Sequence, residues 1–139
     1  MQDPYNLQRF IDAQQPLYKQ VCAELRAGHK IAHWMWFIFP QIAGLGQSAT
    51  ARRYAIAGLA EAAAYIEQPL LGARLRECTE LANGIGNRTA QQIFGEIDAM
   101  KFHSSMTLFA AATLDNELFN VALRKYFDGR FDRATLERI

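Results

Sequence analysis

Residues 30–48, KIAHWMWFIFPQIAGLGQS, join a dense aromatic block to a proline and a glycine-containing loop. Every residue from Ile31 to Phe39 is apolar except His33, so neither a helix nor a strand would have a face suited to water. We predict that Lys30 to Phe39 forms a short buried helix, although its length and aromatic content also suit a strand. Pro40 ends this helix, because the proline ring clashes with a preceding helical turn and has no N–H to donate.

The two tryptophans of the aromatic block, Trp34 and Trp36, each carry a large apolar area and one indole N–H. A buried indole N–H needs a hydrogen-bond acceptor. We therefore expect polar groups from elsewhere in the chain to lie against this block.

The composition is that of one folded domain. With 139 residues, half of them hydrophobic, the chain is long enough to bury a single core without disulfides or metal. A formal net charge of +1 indicates neither disorder nor an electrostatic preference for nucleic acid or membranes. We predict a single domain over residues 1–139.

Cysteine usage and the N-terminal segment both favour a cytoplasmic location. Cys22 and Cys78 lack C-x-x-C spacing, which suits buried thiols in a reducing compartment. The first ten residues, MQDPYNLQRF, lack the basic start and apolar centre of a signal peptide. The longest apolar run, residues 31–40, is too short to span a bilayer, so we expect no membrane partner.

Helical periodicity dominates the rest of the chain, and no alternating pattern typical of strands extends beyond a few residues. Ser48 or Thr50 can cap an alanine-rich helix that runs through Ile56 to Ile66. The predicted helix starts, in chain order, are Asp3, Pro16, Lys30, Ser48, Pro69, Thr89 (in a capping box with Gln92), Ile97 and Glu117, and Asp132 caps a final turn or two. We therefore predict an all-α fold, a single compact domain of about seven or eight helices around a central buried aromatic helix.

The glycine loop at residues 44–48, GLGQS, is the first candidate for a binding site. It leads into a helix with Arg52 and Arg53 in the first turns, and free N–H groups beside guanidinium groups suit a phosphate or carboxylate. The loop lacks the G-K-[ST] of a Walker motif and the third glycine of a dinucleotide fingerprint. The alternative is a tight turn in which Ser48 only caps the following helix.

A polar run at residues 101–107 lies between apolar stretches of one predicted helix. Lys101, Ser104 and Ser105 are three and four residues apart and so share a face. This spacing suits a lysine-activated serine or a ligand clamp. Serines also occur in helices for close packing alone, which is the structural alternative.

The histidines do not predict a metal site. His29 and His33 are four residues apart and His103 is the third histidine, but no H-E-x-x-H motif is present. For His33 we predict a hydrogen-bonded core histidine that holds the indoles or the glycine loop in place. His33 is also our first candidate for a general base.

A line of residues on the alanine-rich helix contains one acid, Glu61, together with Tyr54, Gly58 and Tyr65. This line is either a solvated stripe or a face turned towards the aromatic block. In the second case Glu61 would be a carboxylate in apolar surroundings with a raised pKa, as catalytic acids often are.

Several long motifs in the chain together resemble the bacterial domain-of-unknown-function family 1810, whose members are often labelled "calpastatin". The motifs are HWMWFIFPQ followed by GLGQS, YAIAGLAEAAAYIEQPLLGARLRE, IFGEID with KFHSSMTLF, and YFDGRFDRATL. The resemblance covers about Tyr18 to Leu136 and implies a compact all-helical domain without an established activity. One departure is Gln68, where relatives often have a histidine before the proline, so no catalytic role is assigned to that position.

Calpain inhibition, which the family label suggests, is rejected on physical grounds. Calpastatin inhibitors are disordered and wrap around their protease. This chain is half hydrophobic and periodically amphipathic, so it should fold by itself.

Our leading hypothesis is a small-molecule site at the centre of the helical domain. It would bind an anionic, nucleotide-like ligand through residues 44–48 and Arg53, with the indoles as a stacking wall. The chemistry, if a reaction is catalysed, would be hydrolysis or transfer, and the sequence identifies no cofactor. The ligand-binding candidates are Lys30, Trp34, Trp36, Gln41, Gly44, Gly46, Ser48, Arg53 and Tyr54, and the catalytic candidates are His33, Glu61, Lys101 and Ser105.

The rival hypothesis is a helical interaction or scaffold module without catalysis, in which the same polar residues form a satisfied internal network. Nucleic-acid binding ranks third. The arginines at 52–53 and 74–76 are scattered basic residues on a nearly neutral chain.

Overall fold

The computed structural model describes residues 3–139, so the first two residues of the N-terminal segment considered above lie outside the described residues. The described residues form ten helices, and the predicted all-α class is confirmed. The helices are α1 (Gln8–Gln14), α2 (Tyr18–Ala27), α3 (Met35–Ile38), α4 (Ala49–Arg53), α5 (Leu59–Glu67), α6 (Pro69–Asn83), α7 (Ala90–Phe94), α8 (Glu96–Ala112), α9 (Glu117–Phe127) and α10 (Arg133–Leu136). None of them is long and apolar enough to cross a bilayer.

Helix α8 lies at the centre of the packing and contacts α3, α5, α7, α9 and α10. Its second half is buried on every side, with all residues from Ser104 to Ala110 shielded from solvent. Phe102 on α8 also joins the aromatic block to the core. Its ring lies 4.9 Å from that of Phe39 and 4.8 Å from that of Phe94, measured between centroids.

The predicted helix from Lys30 to Phe39 is wrong in its first half, because only Met35–Ile38 is helical. The N–H groups of Ile31 and Ala32 instead donate to the Glu24 carboxylate, at 2.8 and 3.1 Å. The Glu24 side chain thus satisfies two backbone donors in the non-helical first half of this segment.

Two residues of this segment also lie outside the core. The Ile31 side chain is 71% exposed, and His33 is exposed as well. The prediction of a buried, hydrogen-bonded His33 is therefore wrong.

The predicted alanine-rich helix is divided in two. Ser48 caps α4, accepting from the Ala51 N–H at 3.1 Å, but α4 ends at Arg53. The backbone then forms an isolated bridge between Ile56 and Ile42, with hydrogen bonds of 2.8 Å on both sides. Because α5 begins only at Leu59, the predicted line through Glu61 does not lie on one helix.

The capping signals are confirmed at several helix ends. Thr89 and Gln92 form the predicted capping box at α7. The Asp132 side chain caps α10 by accepting from the Thr135 N–H at 3.2 Å. Asp3 accepts from the N–H groups of Leu7 and Gln8, so α1 begins at Gln8 and not at Pro4.

Candidate functional site

A cavity of 660 Å³ lies between residues 41–51 and the first half of α8. The C-terminal segment around α10 forms a third wall. The lining combines apolar and polar side chains, as is usual for small-molecule sites. Five of the predicted site residues line this cavity, namely Trp36, Gln41, Gly46, Ser48 and Lys101.

Trp36 lines this cavity and also two smaller cavities beside it. A cavity of 240 Å³ brings Gly44 and Tyr54 to the same indole. Another, of 490 Å³, brings Lys30 and His33 to it. The half-buried Trp36 ring therefore connects most of the predicted ligand-binding residues.

The two tryptophans have different surroundings. Trp34 is fully buried, and its indole N–H donates to Glu24 Oε1 at 2.9 Å. This contact confirms the expectation that distant polar groups hold the aromatic block. Trp36 makes no comparable hydrogen bond within residues 3–139 and remains accessible from the cavity. Only Trp36 can therefore serve as the predicted stacking wall.

Two lysines and one carboxylate form a charged cluster beside the tryptophans. Lys30 Nζ lies 2.7 Å from Asp98 Oδ2 and 2.6 Å from the Ala32 carbonyl oxygen, and its side chain is only 5% exposed. Lys101 Nζ lies 3.5 Å from Asp98 Oδ1 and 4.5 Å from the centroid of the Trp36 ring, and its side chain is 20% exposed. Lys30 is thus firmly held, whereas Lys101 is more weakly paired and faces the cavity.

Asp132, Ser104 and His103 also line the 660 Å³ cavity. Asp132 Oδ2 accepts from Ser104 Oγ at 3.0 Å and from Thr135 Oγ1 at 2.6 Å, in addition to the cap. His103 Nε2 lies 2.8 Å from the Arg130 carbonyl oxygen, which can only accept, so this nitrogen carries a proton. The sequence pattern around Asp132 predicts only a helix cap, and its position in the cavity follows from the tertiary structure.

These residues do not form a serine nucleophile with a histidine base. The Nε2–H of His103 points to a backbone carbonyl. The Ser104 hydroxyl donates towards Asp132 or the Met100 carbonyl oxygen. Ser105, the predicted nucleophile, is fully buried, does not line the cavity and has no hydrogen-bond partner for its hydroxyl within the described residues. This part of the cavity therefore holds no activated serine.

Glu61 lies away from this cavity and has a structural environment. It is buried, as the second interpretation required, but its surroundings are not apolar. Its Oε2 pairs with Arg9 Nη2 at 2.9 Å, and its Oε1 accepts from the Ala57 N–H at 2.9 Å. The cation holds this carboxylate and joins α1 to α5.

Arg53 does not join the glycine loop in an anion site. It is exposed and lines none of the three cavities, and its guanidinium lies 5.5 Å from the centroid of the Tyr54 ring. Ser48 lines the cavity while its hydroxyl oxygen caps α4. Among the residues that line the 660 Å³ cavity together with this loop, the lysine or arginine is Lys101. Residues 3–139 contain no cluster of three His, Cys, Asp or Glu side chains suited to a metal ion.

The fold and the cavity together define an all-helical domain with an aromatic-walled cavity of mixed lining beside its most buried helix. The chain belongs to the family described as "protein of unknown function (DUF1810)", whose family model matches residues 4–139. This match confirms the resemblance found in the sequence.

The chain is similar to the conserved hypothetical protein Rv1873 from Mycobacterium tuberculosis, known from a crystal structure at 1.38 Å. The two chains are 52% identical, the alignment covers 97% of this chain and 96% of the other, and the TM-score is 0.96. No curated protein matches the chain. The comparisons thus establish the family and the fold, and the function has to be argued from the cavity.

Proposed function

We propose that this protein binds a small anionic molecule with a flat ring, such as a nucleotide, in the cavity between residues 41–51 and α8. The observation that carries this proposal is the pairing of Trp36 with Lys101 at the cavity wall, where Nζ lies 4.5 Å from the ring centroid. A volume of 660 Å³ is in the range of known ligand sites. A ring can stack on the indole while the anionic group pairs with the ammonium.

The charged cluster explains why Lys101, and not Lys30, would meet the ligand. Lys30 is bound closely to Asp98 and neutralises its charge. The second cation, Lys101, therefore remains without full compensation, and a charge in a partly desolvated site attracts an anion strongly. Lys30 acts as a positioning residue in this proposal.

Hydrolysis or group transfer would require a general base that faces the ligand. Asp132 and His103 are the titratable side chains with that chemistry in the cavity. The carboxylate of Glu61 is held by Arg9 outside it, and His33 lines only the neighbouring cavity. A search for turnover should therefore use variants of Asp132 and His103.

Ligand binding can be tested by thermal shift and by tryptophan fluorescence. Nucleotides, sugar phosphates and small organic acids would be screened, because a specific ligand at 100 times its Kd stabilises the native state by about 2.7 kcal/mol. A ligand on Trp36 should also quench its fluorescence, whereas the buried Trp34 should be unaffected. Trp36→Phe should abolish the quenching.

The matched variants are Lys101→Met and Lys125→Met. The first removes the cation beside Trp36 and keeps the aliphatic stem. The second removes a comparable lysine, whose Nζ lies 5.6 Å from the Tyr126 ring but outside the cavity. We expect only Lys101→Met to weaken ligand binding, by roughly tenfold. Equal binding by both variants would contradict the proposal.

The second candidate role is the scaffold or interaction module, and the nearly buried Lys30–Asp98 pair favours it. Here the charged cluster only fixes the aromatic block in one arrangement. This role predicts that Lys30→Met and Lys101→Met lower the melting temperature and that no compound of the screen raises it.

A further inference from the structure

We propose that Asp132 selects, among ring-containing anions, those that also carry a hydroxyl group, as a nucleoside monophosphate does. This inference rests on the proposed function of the same cavity. It assigns to Asp132 a contact with a sugar hydroxyl, beyond its role as the cap of α10.

The first observation is the unequal use of the two carboxylate oxygens. Within residues 3–139, Oδ2 of Asp132 accepts all the hydrogen bonds that this side chain receives, from Ser104 Oγ, the Thr135 N–H and Thr135 Oγ1. These three donors fix the orientation of the carboxylate. Asp132 also lines the cavity, and its Oδ1 accepts no hydrogen bond from the described residues, so we assign to Oδ1 the contact with a bound molecule.

The second observation concerns charge. Asp98 is neutralised by Lys30 and lies 3.5 Å from Lys101, but Asp132 makes no ion pair with any described residue. A free carboxylate repels an anionic ligand unless a donor group of that ligand covers it. A cavity lined by both an ammonium and a free carboxylate therefore favours a ligand that carries an anionic group and a hydroxyl group at separate positions.

The third observation is the spacing along α8. Asp132 is bonded to Ser104, which follows Lys101 by three residues, so Asp132 meets α8 about one helical turn, roughly 5 Å, from the position of Lys101. The lysine stem points towards the helix N-terminus and places Nζ still further from Asp132. A sugar phosphate carries its phosphate and its hydroxyl groups several bonds apart, which suits this separation, and the Trp36 ring adds room for a base.

The test combines two protein variants with three probes. The probes are adenosine 5′-monophosphate, its 2′,3′-dideoxy analogue and phenyl phosphate, which keeps a ring and an anion but has no hydroxyl. In Asp132→Asn the three cap donors hold the amide oxygen at the position of Oδ2, so the amide NH2 replaces Oδ1. Asparagine and serine are both good N-cap residues, so Asp132→Ser gives a second variant without the free oxygen. Binding would be measured by calorimetry, after thermal melting shows that both variants fold.

We expect the parent protein to bind adenosine monophosphate at least about tenfold more tightly than the dideoxy analogue, which is the usual effect of one charge-assisted hydrogen bond. Both Asp132 variants should lose this preference and bind phenyl phosphate as well as the parent does or better. Equal binding of the two nucleotides by the parent would overturn the role of Asp132 and leave the proposed function intact, provided that Lys101→Met weakens both. If none of the three probes binds, both proposals fail.

Discussion

Glu24 provides the strongest test of how this fold is held together. The side chain is buried, and its Oε1 accepts from the Trp34 indole at 2.9 Å and from the N–H groups of Ile31 and Ala32 at 2.8 and 3.1 Å. Gln20 donates to Oε2 at 2.8 Å. One carboxylate thus fixes the non-helical start of the aromatic block.

Replacing Glu24 with alanine should lower the free energy of unfolding by about 3–5 kcal/mol. Each buried donor left without a partner costs about 1–3 kcal/mol. The indole N–H of the fully buried Trp34 would have no replacement acceptor, so its loss should be near the upper end of this range. The N–H groups of Ile31 and Ala32 lie nearer the surface and can in part bind water instead. A loss of this size is a large fraction of the 5–15 kcal/mol typical of a domain.

The pH dependence of stability gives a second measure of the same contact. Burial alone would raise the pKa of Glu24, but the hydrogen bonds from Ile31, Gln20, Trp34 and Ala32 outweigh it and hold the pKa below its ordinary value of 4.5. The stabilisation from a lowered carboxylate pKa is present above the pKa of the unfolded chain. It is lost as the pH falls through the pKa of the folded state.

The assay is urea unfolding at neutral pH and at several pH values below 4.5, applied to the parent, Glu24→Ala, Glu24→Gln and Glu80→Ala. Glu80 is exposed on α6 and provides the matched control, with an expected change within about 0.5 kcal/mol. Glu24→Gln should be destabilised at neutral pH and lose less stability on acidification than the parent. If Glu24→Ala were as stable as Glu80→Ala, the role assigned to the carboxylate would be refuted.

Two further predictions concern packing and a buried tyrosine. Gly72→Ala should lower the free energy of unfolding by at least about 2 kcal/mol, because the new Cβ would lie 2.0 Å from the Ile66 carbonyl oxygen. The control is Gly86→Ala, whose Cβ would meet no atom within 4 Å and which should be nearly neutral in urea unfolding. Burial raises the pKa of Tyr126 from 10.0 to about 12, so stability should be lost as the pH rises through that interval. Tyr126→Phe should reduce this alkaline loss in thermal melts, in which Tyr65 also shares because burial raises its pKa. The substitution should cost about 1 kcal/mol for the bond to the Ala82 carbonyl oxygen, and an unchanged pH profile would contradict the assignment to Tyr126.

Most helices could be predicted from the sequence because their signals are local. The capping box of Thr89 and Gln92 and the cap at Asp132 lie within four residues of the backbone that they fix. Apolar spacing identified α6 and α9 for the same reason. Helix α8 is marked by the apolar run in its second half, and the burial of Ser104 to Ala110 on every side explains that run.

The errors arose where a distant residue decides the local structure. Composition favoured a helix from Lys30, but Glu24 on the preceding helix takes the N–H groups of Ile31 and Ala32. Similarly, the alanine-rich segment is interrupted because Ile56 pairs with Ile42. Neither pairing follows from helical propensity, which tertiary contacts readily override.

The candidate site was predictable in part. The aromatic block and the glycine loop were expected to meet, and Trp36, Gln41 and Gly46 do line one cavity. The cation was expected from Arg53, which follows the loop directly, but Lys101 from α8 occupies that position. The glycine-loop side of the cavity could thus be predicted because its residues are close in sequence to the aromatic block. The position of Lys101 depends on how α8 packs against α3, which the sequence does not show.

Trp34 is buried in the core and Trp36 lines the candidate site, and the same contact with Glu24 determines both positions. In a helix starting at Lys30, the N–H groups of Ile31 and Ala32 would lie in the first turn, where the helix backbone offers them no acceptor. The carboxylate instead holds residues 30–34 outside the helix and turns Trp34 into the core, where it is fully buried. The single turn that follows then leaves Trp36 half-buried at the junction of three cavities. The contact that stabilises the fold is therefore also the one that presents the proposed stacking surface, so disrupting Glu24 should impair both stability and ligand binding.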